Sequence, residues 1–535
     1  MSRPIAAVLP AFLAFLCLLA PAAPADAAGG ERYIVKYRDG LSPQALGRTE
    51  RRGAPVLREL PRHRASVLML EPADAANLAL DPAVESVERD ARRYPVGMFR
   101  TPPSAADLLP AEGSGSQQVI PYGLPLVQAL GLSGDRAAGI KVCVMDSGYD
   151  MGHEDKPRRT TVKGTNDPGG TGPWDRDGDG HGTHVSGTIN SLNNSLGIVG
   201  VFPRVPMHII RVFGNKGEWA YSSDLVAALD ACIAAGADVV NMSLGGSDPT
   251  ELERLAFRDA RWSGVLSVAA AGNDGDTMFS YPASYPSVMS VGAVDDTAGH
   301  ATFSNRNKEV DIAAPGVSVL STVPRGTVRE ALIESPLGET SVVPMDNFAV
   351  PVEPLSGALV DCGLAGTAAD CGDARGAMCL IERGTFFFYE KARSCAAAGG
   401  IGAVVFNKEG EVGPVYGTLG EERSSIPIVG TDRATGISLR ASHLGSTVTM
   451  SFGARSPDYD SYSGTSMATP HVAGVAALIW SRHPQCSNDQ VRRAMEQTAL
   501  DLGNPGRDWL YGEGLVQARA ADDYLRAQPP PCGGS

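Results

Sequence analysis

The chain is poor in positive charge: 46 Lys and Arg face 60 Asp and Glu, a formal net charge of −14 at pH 7. Nucleic-acid partners demand basic stripes, and this balance argues against one. Long apolar runs are equally scarce. The longest, Ile5 to Ala20, is interrupted by Pro10 and falls short of a membrane span, so the mature form is expected to have none. Cysteine is sparse, with nine in 535 residues. What is plentiful is turn chemistry: 62 Gly and 38 Pro point to many loops and away from coiled coil or disorder. The acidic surplus suits solubility and leaves carboxylates for divalent cations. At this length the chain holds more than one domain.

Residues 1–28 read as a secretory signal peptide: Arg3, the apolar run, then small residues at Ala25-Asp26-Ala27. The product is therefore expected to be secreted, and extracellular. Cys17 leaves with the signal, and the eight remaining cysteines are free to form disulfides in an oxidising compartment. Glu31 to Tyr37 alternates like a strand, and Ser66 to Leu70 is a second strand ended by Pro72. Helical patterns run from Pro43 to Arg52 and from Ala73 to Leu80, and Val84 to Asp90 closes an α+β unit of about 65 residues. Thr101 to Ser116 is a Pro-, Gly- and Ser-rich linker open to proteolysis.

Gly139 to Met145 is a mostly apolar run that ends at Asp146-Ser147-Gly148. It reads as a buried parallel strand with a carboxylate at its C-terminal end, where reactive groups gather in open α/β sheets. Further strands are expected at 208–212, 238–242, 265–269 and 288–291, with helices at 223–235 and 250–263. This alternation predicts an α/β domain with a doubly wound, mostly parallel sheet over 117–334 and 453–525. After Ala313-Ala314-Pro315-Gly316 the pattern breaks, and residues 335–452 form an insert. Within it, 377–384, 388–398 and 403–406 read as strand, helix and strand, a βαβ-like module. Residues 526–535 are a Pro-rich tail.

The stretch Gly464 to Gly474 places Ser466 on a tight turn opening a buried helix. Unpaired N–H groups and the macrodipole there favour a nearby oxyanion. A lone serine before an apolar helix is ordinarily a cap. Two further elements on the Asp146 side of the sheet change that reading: Gly180-His181-Gly182-Thr183-His184 and Ala271-Gly272-Asn273. A hydroxyl nucleophile needs a base, and the base needs an orienting group. Ser466, His181 and Asp146 supply these roles, and Asn273 offers an amide donor to a developing oxyanion.

These segments, with Val144-Met145-Asp146-Ser147-Gly148 and Asn241-Met242-Ser243-Leu244-Gly245-Gly246, resemble the subtilisin-like serine proteases, or subtilases, over most of 117–325 and 455–525. The chain order Asp, His, Ser is the order of that family's triad, as the resemblance implies. The resemblance implies a serine endopeptidase acting on protein or peptide substrates through a Ser466 acyl-enzyme. His181 would be general base then acid, Asp146 its orienter, and Asn273 with the Ser466 N–H the oxyanion hole. His184, three residues along the same helix, is expected to be packed rather than catalytic. Ser243, Leu244 and Gly245 would pair with an extended substrate by strand addition. With Ala271 and Gly272 they would line a roomy pocket for a large apolar side chain.

The same resemblance implies a structural Ca²⁺ held by Gln118, Asp155, Asn194 and the carbonyls of Leu192, Leu196 and Ile198. Asp175, Asp177 and Asp179 are either a second calcium site or a solvated acidic loop. Residues of about 31–95 resemble the family's inhibitory propeptide, so that 29–116 is propeptide and linker; maturation is expected near 115–117, where it would free Gln118 for calcium. The 335–452 insert resembles the β-rich α/β protease-associated (PA) domain found inside some subtilases. Its cysteines are expected to pair as 362–371 and 379–395, one of three possible pairings. Cys486 and Cys532 could pin the tail, while Cys143 and Cys232 could be a bridge or two buried thiols. Two other functions stay open: a catalytically silent protein-binding module, and a peptide acyl transferase using the same site.

Overall fold

Val142–Asp146, buried at all five positions, is the pivot of the main sheet. The computed structural model describes residues 30–38, 55–107, 118–166, 171–215, 219–327, 331–345, 348, 350–410, 413–417, 419, 422–452, 458–527 and 532. The signal segment, the 43–52 helical pattern and the 108–117 part of the linker lie outside them. The chain divides into two units, Met1–Arg89 and Asp90–Ser535.

The first unit is an antiparallel sheet ordered Val56–Leu60, Ala65–Leu70, Glu31–Tyr37, Val84–Arg89, with the helix Pro72–Leu78. Tyr33, Val35, Leu68 and Leu78 are in its core. The expected α+β unit is there. Val56–Leu60 was not foreseen as a strand, and only Leu60 of it is buried, so it offers little apolar signal.

In the second unit seven parallel strands follow the order Ile312–Pro315, Val288–Val294, Leu266–Ala270, Val239–Met242, Val142–Asp146, Met207–Arg211, Val162–Asn166. Every residue of Leu266–Ala270 and Val288–Val294 is buried, as a sheet covered on both faces requires. The strand order reverses beside Val142–Asp146, whose neighbours are the third and fourth strands of the sheet in sequence. Ligands collect at such a switch point, beyond the strand C-termini. Helix Thr465–Arg482 packs across the central strands and against helix His181–Asn190, bringing Ser466 and His181 toward that same end.

The insert is a closed seven-stranded barrel, not a lone βαβ module. Met378–Glu382, Phe388–Ala397 and Gly402–Phe406 do form the expected parallel βαβ unit. Leu355–Asp361 and Ile428–Thr431 extend it in parallel, and antiparallel pairings close the barrel; its first strand, Ala331–Ser335, begins before the expected boundary because it pairs with Thr447–Phe452. Four disulfides are formed: Cys362–Cys371 and Cys379–Cys395 in the insert, Cys486–Cys532, and Cys143–Cys232. The last ties the pivot strand to helix Ser222–Ala234. Among the described residues no helix is long and apolar enough to cross a membrane.

Candidate active site

Asp146, the last residue of the pivot strand, accepts a 2.8 Å hydrogen bond from His181 Nδ1, and its carboxylate also takes the Ser147 N–H at 2.7 Å. His181 is the first residue of its helix. Asp177 fixes that helix start: its carboxylate accepts from Gly180 N, Thr183 N, Thr183 Oγ1 and Ser147 Oγ. Burial alone would lower the His181 pKa, but the adjoining Asp146 carboxylate more than offsets it, and the imidazole holds its proton more tightly than a free histidine. His181 Nε2 is buried and without a hydrogen-bond partner.

His184 is packed, as expected. Its Nε2 lies 3.0 Å from Val319 O and 3.2 Å from Asp460 O, and burial pushes its pKa down to about 3, which keeps it neutral.

Ser466 is the second residue of its helix, and its Oγ donates to Val96 O at 2.8 Å and to Ser243 O at 3.2 Å. Asn273 is oriented by Thr465, whose N and Oγ1 both donate to its Oδ1 at 2.9 and 2.8 Å. That leaves Nδ2 aimed outward, where it donates to Gly97 O. Gly464 leaves room for this approach, since a Cβ there would stand 3.0 Å from both Asn273 Nδ2 and Gly97 O, closer than ordinary contact.

The residues facing Ser466 belong to the chain itself. Arg92–Pro95 runs antiparallel between Ala220–Tyr221 and Leu244–Gly245, with Tyr94 opposite Gly245 and Pro95 opposite Leu244. Val96 N donates to Ser243 O at 3.3 Å. Beyond Gly97, Phe99–Arg100 pairs with Ser463 and Tyr462, and Thr101 N bonds Ser461 O. Thus Ser243, Leu244 and Gly245 pair with an extended segment of the chain itself. Ala271 and Gly272 lie just past the Leu266–Ala270 strand, leading into Asn273. The start of the expected linker is also held: Asp107 Oδ1 accepts from Tyr122 N at 3.0 Å.

One contact in this cleft had no counterpart in the sequence reading. Arg93 is fully buried, with Nε and Nη2 at 3.0 and 2.5 Å from the two carboxylate oxygens of Glu253, itself fully buried. Glu253 lies on the face of helix Glu251–Trp262 that also buries Leu252, Ala256, Phe257 and Ala260. A carboxylate on an apolar helix face was the available signal.

At the expected calcium loop, Gln118 Nε2 contacts Leu192 O, Asn194 Oδ1, Leu196 O and Ile198 O at 2.7, 3.4, 3.1 and 2.9 Å. Asp155 Oδ2 accepts from Ile198 N, and its buried Oδ1 has no partner. The three aspartates near His181 do not converge: Asp175 pairs with Arg159, Asp177 caps the helix, and Asp179 accepts from His181 N.

Residues 137–338 and 426–514 match the model of the Subtilase family, and 355–439 match the PA domain. The chain is 28% identical over 503 residues to subtilisin E of Bacillus subtilis (strain 168), covering 92% of this chain and 90% of that protein. It is 30% identical over 457 residues to M-protease of Shouchella clausii (strain KSM-K16), covering 84% and 77%. Among solved structures, the psychrophilic subtilisin-like protease Apa1 from Pseudoalteromonas sp. AS-11 superposes with a TM-score of 0.54 at 41% identity, over 78% of this chain and all of that one. Fervidolysin from Fervidobacterium pennivorans shares the fold, with a TM-score of 0.58 at 24% identity over 92% of this chain and 61% of that one. The chain belongs to the subtilase family of serine proteases, with a PA domain set into its sequence.

Proposed function

We propose that the chain is a secreted serine endopeptidase that hydrolyses peptide bonds through an acyl-enzyme on Ser466. The Oγ attacks the carbonyl carbon of an extended peptide while His181 Nε2 takes the hydroxyl proton. Asp146 holds the ring by Nδ1 and stabilises the imidazolium, and Asn273 Nδ2 with the Ser466 N–H receives the oxyanion. The intermediate expels the amine, which takes the proton from His181. Water then attacks the ester by the same route and returns Ser466. The observation that carries this reading is the self-peptide in the cleft: Val96 O on Ser466 Oγ and Gly97 O on Asn273 Nδ2.

That same segment supports an inhibitory role for the residues up to Val96. Ser466 Oγ is turned to the Val96 and Ser243 carbonyls, leaving His181 Nε2 unpartnered, and the Asn273 donor rests one carbonyl further along. The bond we assign to self-cleavage is Val96–Gly97, well before 115–117. Four disulfides fit an oxidising compartment outside the cytosol.

A structural Ca²⁺ fits the Gln118 loop, where four oxygens gather round the Gln118 Nε2 donor, a position a cation would take with the amide turned to offer its oxygen, and an unpartnered carboxylate oxygen lies buried on Asp155. Gln118, Asp155, Asn194 and the carbonyls of Leu192, Leu196 and Ile198 would hold it. Its contribution would be to cross-link the loop.

Fluorophosphonate labelling tests the reading: one adduct, on Ser466, is expected. A matured protein that takes no label is a binding module. Product analysis with a peptide amine present separates hydrolysis from acyl transfer.

A further inference from the structure

Three residues before Val96, the cleft makes a choice of charge. Arg93 enters it between Ala220 and the Gly245-Gly246 turn, and a Cβ on Gly246 would stand 3.1 Å from Arg93 Nη1. At the far end its guanidinium makes a two-pronged ion pair with Glu253. Glu253 Oε2 also accepts from Tyr285 OH at 2.8 Å, and that hydroxyl is held by the Thr250 N–H at 2.9 Å. Among the described residues, Arg93 is the one cation in a salt bridge with Glu253. Asp90, the other carboxylate close to Arg93, belongs to the occupying segment and would leave with it. Once that segment goes, a carboxylate built into a helix faces an emptied subsite with only Tyr285 to satisfy it.

We propose that Glu253, positioned by Tyr285, is a specificity determinant that selects a cationic side chain, arginine above all, at the fourth residue before the bond to be cut. This deepens the proteolytic reading and rests on it. A planar guanidinium meets both carboxylate oxygens at once, whereas a lysine ammonium meets them as a point charge, and a neutral or acidic side chain leaves a buried carboxylate unpaired. The natural substrates would be polypeptides with an arginine at that place followed by an extended stretch.

The test uses matured full-chain enzyme, titrated with a fluorophosphonate, and peptides copying Ala91 to Arg100 with the Arg93 position filled by Arg, Lys, Gln, Leu or Glu. The expected kcat/KM order is Arg, then Lys, then the neutral residues, then Glu, with Arg over Leu by about tenfold or more. In Glu253→Gln the Arg-to-Leu ratio should collapse toward one. Tyr285→Phe, which keeps the carboxylate but loosens it, should reduce the ratio without abolishing it. If either variant fails to fold, the wild-type profile alone decides. Cleavage of all five peptides at similar rates, or a preference for Leu, overturns the subsite and leaves the proteolytic reading standing. A protein that cuts none of them and takes no fluorophosphonate overturns both.

Discussion

His181 sits between a carboxylate that holds one ring nitrogen and an unpartnered second nitrogen that faces the site. Since the base must be neutral to accept the serine proton, activity should rise with pH as His181 loses its proton. The Asp146 carboxylate raises that pKa, so the acid limb of kcat/KM should lie above the range of an ordinary histidine. Asp146→Asn should move the limb to lower pH and lower kcat by about 10⁴; a pH–rate profile of both proteins checks it. Asn273 does a different job. Its Oδ1 accepts from Thr465 N and Oγ1, so replacing it removes the aimed donor together with the two hydrogen bonds that anchor it. Asn273→Ala should lower kcat roughly 10²–10³-fold with KM nearly unchanged in a peptide assay, and should leave fluorophosphonate reactivity detectable.

At the scale of elements, the site depends on how two helices and one loop are fixed. Asp177 gathers three backbone N–H groups and two hydroxyls at the start of the His181 helix. Asp177→Ala should cost about 1–2 kcal/mol or more, read as a lower denaturation midpoint in urea with an unchanged slope. The Gln118 loop makes a second prediction. Chelation with EGTA should lower the thermal midpoint and speed inactivation, calcium should restore both, and Asn194→Ala should shrink the difference. Stability indifferent to calcium from the start would remove the cation from the account. The sequence was most legible where elements announce themselves locally. Asp146 ends an apolar run, His181 and Ser466 open runs of small residues, and all three fall where expected. Val162–Asn166 and Ile312–Pro315 were not legible, because one is a partly exposed edge strand and the other a short Ala-Pro stretch. The Cys143–Cys232 bridge joins residues 89 apart, a pairing set by tertiary packing and not by spacing.

On the scale of the whole molecule, the chain supplies its own occupant for the cleft. Residues 92–101 pair first with Leu244–Gly245 and then with the strand preceding Ser466, spanning both sides of Ser466. No local pattern in Arg92 to Gly97 indicates this, since the partners lie more than a hundred residues away and the pairing is backbone to backbone. The Arg93–Glu253 pairing was hidden for the same reason: Glu253 on an apolar helix face was the legible half, and its partner lies 160 residues away. The most direct measurement is the intact mass and N-terminal sequence of secreted wild-type and Ser466→Ala chains, each treated with a fluorophosphonate. The account predicts that the wild-type chain begins at Gly97, or has been trimmed from there, and carries one adduct, while Ser466→Ala keeps the Val96–Gly97 bond and takes none. Equal cleavage of both chains at Val96–Gly97, with no adduct on either, would contradict it.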